Sequence, residues 1–188
     1  MPKNPIGFQM PTSMTITGRA SSITNAFVSA IIPVVYPTEA EVIEALAELG
    51  MSRTDVRCAY CGDLSTEWDH LRPLVVDQKP TGFISELANL VPSCGKCNQS
   101  KGKKAWREWM RSSAPRSPRM RGISDLEARM MRLESYEQWH PPKRLDFQSL
   151  VGEEFWVEYW NNWREVLDRM KKSQACAEKL KAQMAGRA

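Results

Sequence analysis

Four cysteines stand in two pairs, Cys58-Ala-Tyr-Cys61 and Cys94-Gly-Lys-Cys97, with 32 residues between the pairs. Two Cys-x-x-Cys loops fit a tetrahedral zinc site, because thiolate is the soft ligand zinc prefers and each loop presents both sulfurs to one side of the ion. Four thiolates close the shell and leave no position for water, so a zinc there holds structure and does no chemistry. Gly62 and Gly95 are expected to supply the tight turns of the knuckles. Between the pairs lies Glu67-Trp68-Asp69-His70-Leu71-Arg72-Pro73-Leu74, which contains one of the chain's two histidines. A buried imidazole and a buried carboxylate are costly unless paired or bound to something. A histidine near neutral pKa can take a proton from water at physiological pH, and a divalent ion beside it can act as Lewis acid and template on a phosphate. Two asparagines follow: Asn89, before Leu90-Val91-Pro92, and Asn98, directly after the last cysteine of the knuckle.

The order Asp69-His70, Asn89, Asn98, flanked by cysteine pairs, resembles the HNH nucleases, in the zinc-knuckle branch of the ββα-metal fold. The resemblance runs from about Arg57 to Trp109. It implies that Asp69 ligates a catalytic metal, that His70 is the general base, that Asn89 holds the base loop and orients His70, and that Asn98 completes the protein's ligation of the metal. Asn98 stands where the family has His or Asn, and an oxygen ligand there is compatible with Mg2+, which favours oxygen and keeps several waters. Adjacent residues of a strand point to opposite faces, so Asp69 and His70 can serve one phosphate only through a twist, a bulge or a metal at the strand's edge. Set against catalysis is a zinc-ribbon module in which His70 merely pairs with Asp69.

The elements that must position these residues are partly legible. The fold class expected is α+β: a ββα core with structural zinc, surrounded by N- and C-terminal helices. The core is expected at residues 53–112, after an arm and helices at 1–52 and before a basic linker and helices at 113–188. Residues 1 to about 20 read as a mobile tail or arm. Ile23–Ile32 is apolar with small residues, as in a short buried helix. Thr38 and Glu41 form a capping box for a helix that ends at Gly50, with Val42, Leu46 and Leu49 on one face. Strands are expected around Glu67–Arg72 and near Leu74–Val76, with a turn at Gln78–Gly82, then a loop and a helix. A short helix follows Gly102, with Trp106 and Trp109 in the core. Residues 114–122 are expected to be extended, and Ser124 with Glu127 to cap the next helix. His140 reads as a helix-end residue. From Gly152 to Ala185, Trp156, Trp160, Trp163, Leu167 and Met170 alternate by four and three, as on an amphipathic helix packed on its own domain or, alternatively, at a dimer seam.

Charge points to a polyanionic partner. The chain of 188 residues carries +4, yet Lys96 to Arg121 holds nine Lys or Arg and one acid, so this segment is +8 and the remainder −4. Such a basic field attracts nucleic acid. Lys101, Lys103, Lys104 and Arg107 are candidate phosphate contacts near the metal, and Arg111, Arg116, Arg119 and Arg121 continue the cluster. No apolar run approaches the roughly 20 residues that span a bilayer, and a cytoplasmic protein is expected. Cys176 has no evident role. The resemblance to small HNH restriction endonucleases implies a homodimer acting on short sites in double-stranded DNA. The alternatives are a relaxed-specificity or nicking HNH nuclease and a non-catalytic zinc module.

Overall fold

A computed structural model describes Gly7 and residues 10–186. The expected tail lies partly outside the described residues; within them, a short 3-10 turn at Thr17–Arg19 leads into helix α1, Ala20–Ile31. The chain divides into two compact units, residues 28–152 and residues 1–27 with 153–188. The expected boundaries at 52/53 and 112/113 both fall inside the larger unit.

The larger unit is α+β. Helix α2, Glu39–Glu48, carries the expected capping box: Thr38 accepts from the Glu41 amide while the Glu41 carboxylate accepts from the Thr38 amide. Strand β1 is Glu67–His70, and strands β2 (Val75–Val76) and β3 (Lys79–Pro80) form a separate hairpin. Its turn sits at Asp77 and Gln78, both at positive φ (49° and 65°), as a two-residue hairpin of matching twist requires. The partner of β1 is not the Leu74–Val76 segment but β4, Leu90–Ser93, antiparallel with Asp69 opposite Val91 and His70 opposite Leu90. Proline at position 92 argues against a strand, but a two-stranded ribbon has only edges, where proline is tolerated. Helix α3, Gly95–Lys101, leaves β4 directly and completes a ββα unit.

Helices α4 (Trp106–Arg111) and α5 (Leu126–Trp139) close the core over this unit. Tyr60, Leu71, Val91, Trp106, Trp109, Met110, Leu133 and Tyr136 are buried together with the four paired cysteines. Trp109 meets Tyr60 edge-on at 5.2 Å between ring centres and donates from Nε1 to Ser100 Oγ at 3.0 Å. Residues 114–122 are not extended. They form successive turns around the fully buried Ser117, whose hydroxyl donates to the Ser112 carbonyl. The Ser124–Glu127 capping box is absent too. Asp125 occupies the cap position and binds Arg129, while Glu127 turns to Arg111. His140 ends α5 as expected, its ring tilted against Trp139. A short helix α6, Phe147–Val151, closes the unit.

In the smaller unit helix α7, Glu153–Ala185, is about 50 Å long at 1.5 Å per residue. Its seam is half-buried, with Trp156, Trp160 and Trp163 in an edge-to-face ladder. Tyr159 donates to the Phe27 carbonyl and Trp163 Nε1 to Thr24 Oγ1, so part of the seam packs within its own unit. Among the described residues no helix is long and apolar enough to cross a membrane.

Candidate active site and metal centre

The knuckles bring Cys58, Cys61, Cys94 and Cys97 together, all buried, with their sulfurs within 4.8 Å of one another. Cys61 and Cys94 sulfurs are 3.7 Å apart. A zinc at about 2.3 Å from each of four tetrahedral sulfurs sets an edge of about 3.8 Å, so the donor set fits that ion. The Gly62 and Asn98 amides donate back to the Cys58 and Cys94 carbonyls and shape the two turns. Gly62 is required: its φ is +80°, and a Cβ there would stand 2.4 Å from the Arg129 guanidinium. Gly95 serves otherwise; its φ is not positive, and a Cβ would press on the Glu67 carboxylate. Hydrogen bonds from Cys61 and Cys97 pull the Cys58 thiol down and push Cys97 up, so the four sulfurs share protons as one coupled cluster. Arg121 Nη1 lies 3.3 Å from Cys97 Sγ while Nη2 pairs with Asp63. Arg121, expected at DNA, is thus engaged with the cysteine cluster and Asp63, where it would balance the charge of zinc-bound thiolates.

β1 delivers Asp69 and His70 with different partners. Asp69 is buried; its Oδ2 accepts from Tyr60 at 2.7 Å and from Lys101 Nζ at 3.0 Å. Oδ1 has no hydrogen bond among the described residues. Burial raises the Asp69 carboxyl against the opposing pull of Lys101 and Tyr60. The His70 ring is half-buried, and its Nε2 lies 2.9 Å from Ser85 Oγ. Burial, and then the Lys101 charge, hold His70 below 6.5. The ring is thereby kept neutral, the form a base needs.

Lys101 was expected at the phosphate backbone. It is instead fully buried at the end of α3, bonded to Asp69, to the His70 carbonyl at 2.7 Å and to the Gly102 carbonyl. It clasps the helix to the strand end that carries the site. Three surfaces satisfy its three donors, so it offers none to a ligand.

Asn89 is fully buried and makes three bonds. Its Oδ1 accepts from the Arg72 amide at 2.7 Å, and its Nδ2 donates to the carbonyls of Arg72 and Ile84. One side chain thus fixes both the turn after His70 and the residue before Ser85. Ser85 is held further by backbone bonds to Pro33 and Val35. Asn98, in the first turns of α3, is half-exposed, and its side chain has no hydrogen bond among the described residues.

The remaining basic residues differ in freedom. Arg107 pairs with Glu134 and Glu137, Arg111 with Glu127, and Arg119 donates to the Arg111 carbonyl. Lys104 bonds the Ser100 carbonyl. Lys103 and Arg116 are exposed without a bonded partner among the described residues. Sequence reasoning missed Tyr60 and Ser85. Tyr60 sits inside a Cys-x-x-Cys loop, which marks it as close to the site; Ser85 carries no such signal.

Residues 58–104 match the family model described as HNH endonuclease, so the knuckle, β1, β4 and α3 form an HNH endonuclease domain. Over 82 residues, 42% of this chain, the sequence is 33% identical to the CRISPR-associated endonuclease Cas9 of Corynebacterium diphtheriae, of which the match spans 7%. No solved structure matches the chain.

Proposed function

We propose that this HNH-domain chain is a metal-dependent endonuclease that hydrolyses phosphodiester bonds in double-stranded DNA at specific sites, in the manner of a restriction enzyme. The observation that carries it is Asn89, buried and bonded both to the turn after His70 and to the residue before Ser85, with the ring's Nε2 taken by Ser85. His70 Nδ1 is then the nitrogen open to water. His70 takes the proton as the water oxygen bonds to phosphorus; the P–O3′ bond breaks and the leaving oxygen is protonated from solvent. Asp69 Oδ1 and the Asn98 side chain, neither hydrogen-bonded among the described residues, would hold Mg2+. That ion would supply Lewis-acid neutralisation of the phosphate and the leaving oxygen. A zinc on the four cysteines keeps β1, β4 and α3 in register. Lys103, Lys104, Arg107, Arg111, Arg116 and Arg119 meet DNA phosphates, with Lys103 and Arg116 the least committed elsewhere. The chain works in the cytoplasm as a homodimer that matches a two-fold site. Digestion of plasmid DNA with Mg2+, followed by sequencing of the ends, tests this. Discrete ends at one short sequence are expected; a smear or nicked circles point to relaxed or single-strand cutting, and intact DNA refutes catalysis.

A further inference from the structure

A cavity of about 730 Å³ opens at Leu71, the residue after His70, with His70 itself outside its lining. Its volume lies in the range of about 300–1,000 Å³ typical of small-molecule sites. It belongs wholly to the larger unit: the loop after β1, the β2–β3 hairpin, the start of α4 and the strand-like segment at Arg144 line it. The outer wall is built deliberately. Phe83 and Arg144 pair as an antiparallel bridge, Arg144 Nε donates to the Thr81 carbonyl, and the Leu145 amide donates to the Gly82 carbonyl. Gly82 has φ +93°, and a Cβ would stand 2.6 Å from the Leu145 oxygen, so only glycine lets this segment approach.

The lining combines two chemistries. Phe83, with Pro73, Val76 and Pro80, gives the apolar surface, backed by the almost wholly buried Leu71 and Trp106, over whose ring the Arg107 guanidinium lies at 4.6 Å. Arg72, Lys103 and Arg144 add positive charge, against one carboxylate, Glu108. Glu137, buried between Arg72 and Arg107, fixes two of the cations on the rim. An aromatic and apolar surface framed by cations matches one nucleotide: a base to stack and a phosphate to pair. A base-paired duplex offers phosphates but no free base face, so it leaves the apolar surface unmatched.

Resting on the nuclease reading above, we infer that this cavity receives one unstacked nucleotide of the substrate, next to the phosphate presented to His70. The preferred DNA therefore has an unpaired or extruded nucleotide beside the cut.

The test uses the full-length zinc-loaded protein without Mg2+. Its affinity is measured by fluorescence anisotropy for a labelled duplex and for the same duplex with one bulged nucleotide. The bulged DNA should bind about tenfold tighter, the size a stacked base contributes. Phe83→Ala and Arg144→Ala should each bring that ratio down to within about twofold of unity, because each removes stacking surface or charge from the cavity. Zinc content equal to the unaltered protein's is the control for folding. Equal affinity for the two DNAs, a ratio unchanged in both variants, or no binding to either DNA overturns the inference. Cleavage of the same two DNAs with Mg2+ is scored separately. Preference without cleavage sinks the nuclease reading and leaves the cavity's occupant standing, whereas cleavage without preference does the reverse.

Discussion

Lys101 Nζ lies 3.0 Å from Asp69 Oδ2 with both side chains buried, and the same ammonium group holds the carbonyl of His70. Burial drives each member of this pair toward its neutral form, the carboxyl upward and the amine downward, and the mutual attraction opposes both shifts. The pair is therefore costly to split. Lys101→Met should destabilise the fold by about 3–5 kcal/mol, since it strands a buried carboxylate. Adding Asp69→Asn should recover part of that loss. Urea unfolding of the two single variants and the double gives the coupling; additive losses would contradict the pairing.

Asn89 makes three bonds with no exposed surface. Asn89→Ala leaves at least one buried backbone group unpaired, at about 1–3 kcal/mol. Because those bonds hold the loop of Ser85, cleavage should fall further than stability predicts. The measurement is the single-turnover rate at a temperature where the variant is fully folded; a rate equal to the unaltered protein's contradicts the positioning role.

The zinc prediction concerns the whole core. The four thiolates bury against Tyr60, Trp109 and Leu133 in one cluster, so chelation should unfold the larger unit rather than only inactivate it. Metal analysis should give one zinc per chain, and circular dichroism should lose its cooperative transition on chelation. Arg121→Ala should weaken zinc retention by about 10- to 100-fold, the size of an outer-sphere partner's contribution. Unchanged retention in a competition with a chromogenic chelator would remove Arg121 from the cluster.

His70 is held below 6.5 by burial and by the Lys101 charge. The base form therefore survives below pH 6.5, and the acid limb of the cleavage rate should have its midpoint under that value. Stability follows the same sign: the unfolded histidine binds its proton first as pH falls through 6.5, so folding weakens from there down to the folded value. A limb centred above pH 6.5, read from single-turnover rates at saturating Mg2+, contradicts this environment for His70.

Much of the site was legible because its signals are local. The cysteine pairs, the Asp69-His70 dipeptide and the two asparagines stand at spacings that short turns impose, and the capping box at Thr38 depends on four residues alone. What escaped was set by tertiary context. Pro92 concealed β4, since a proline reads as a break unless the strand is known to be an edge. Lys101 and Arg121 read as surface charge in a basic run. Only the packed structure sends one to Asp69 and the other to Cys97. Ser85 comes to His70 across 15 residues through a loop anchored by Asn89 and, across 50 and 52 residues, by Val35 and Pro33, a relation that no pattern encodes. The same holds for the turns around Ser117, where a segment rich in proline and arginine wraps back on α4.

The role of His70 is tested most directly by His70→Ala, comparing DNA binding and Mg2+-dependent cleavage in one preparation with zinc content verified. The account predicts affinity within about twofold of the unaltered protein's and a cleavage rate lower by about 10²- to 10⁴-fold, the contribution of a positioned general base. Cleavage at an undiminished rate, with binding intact, would contradict it.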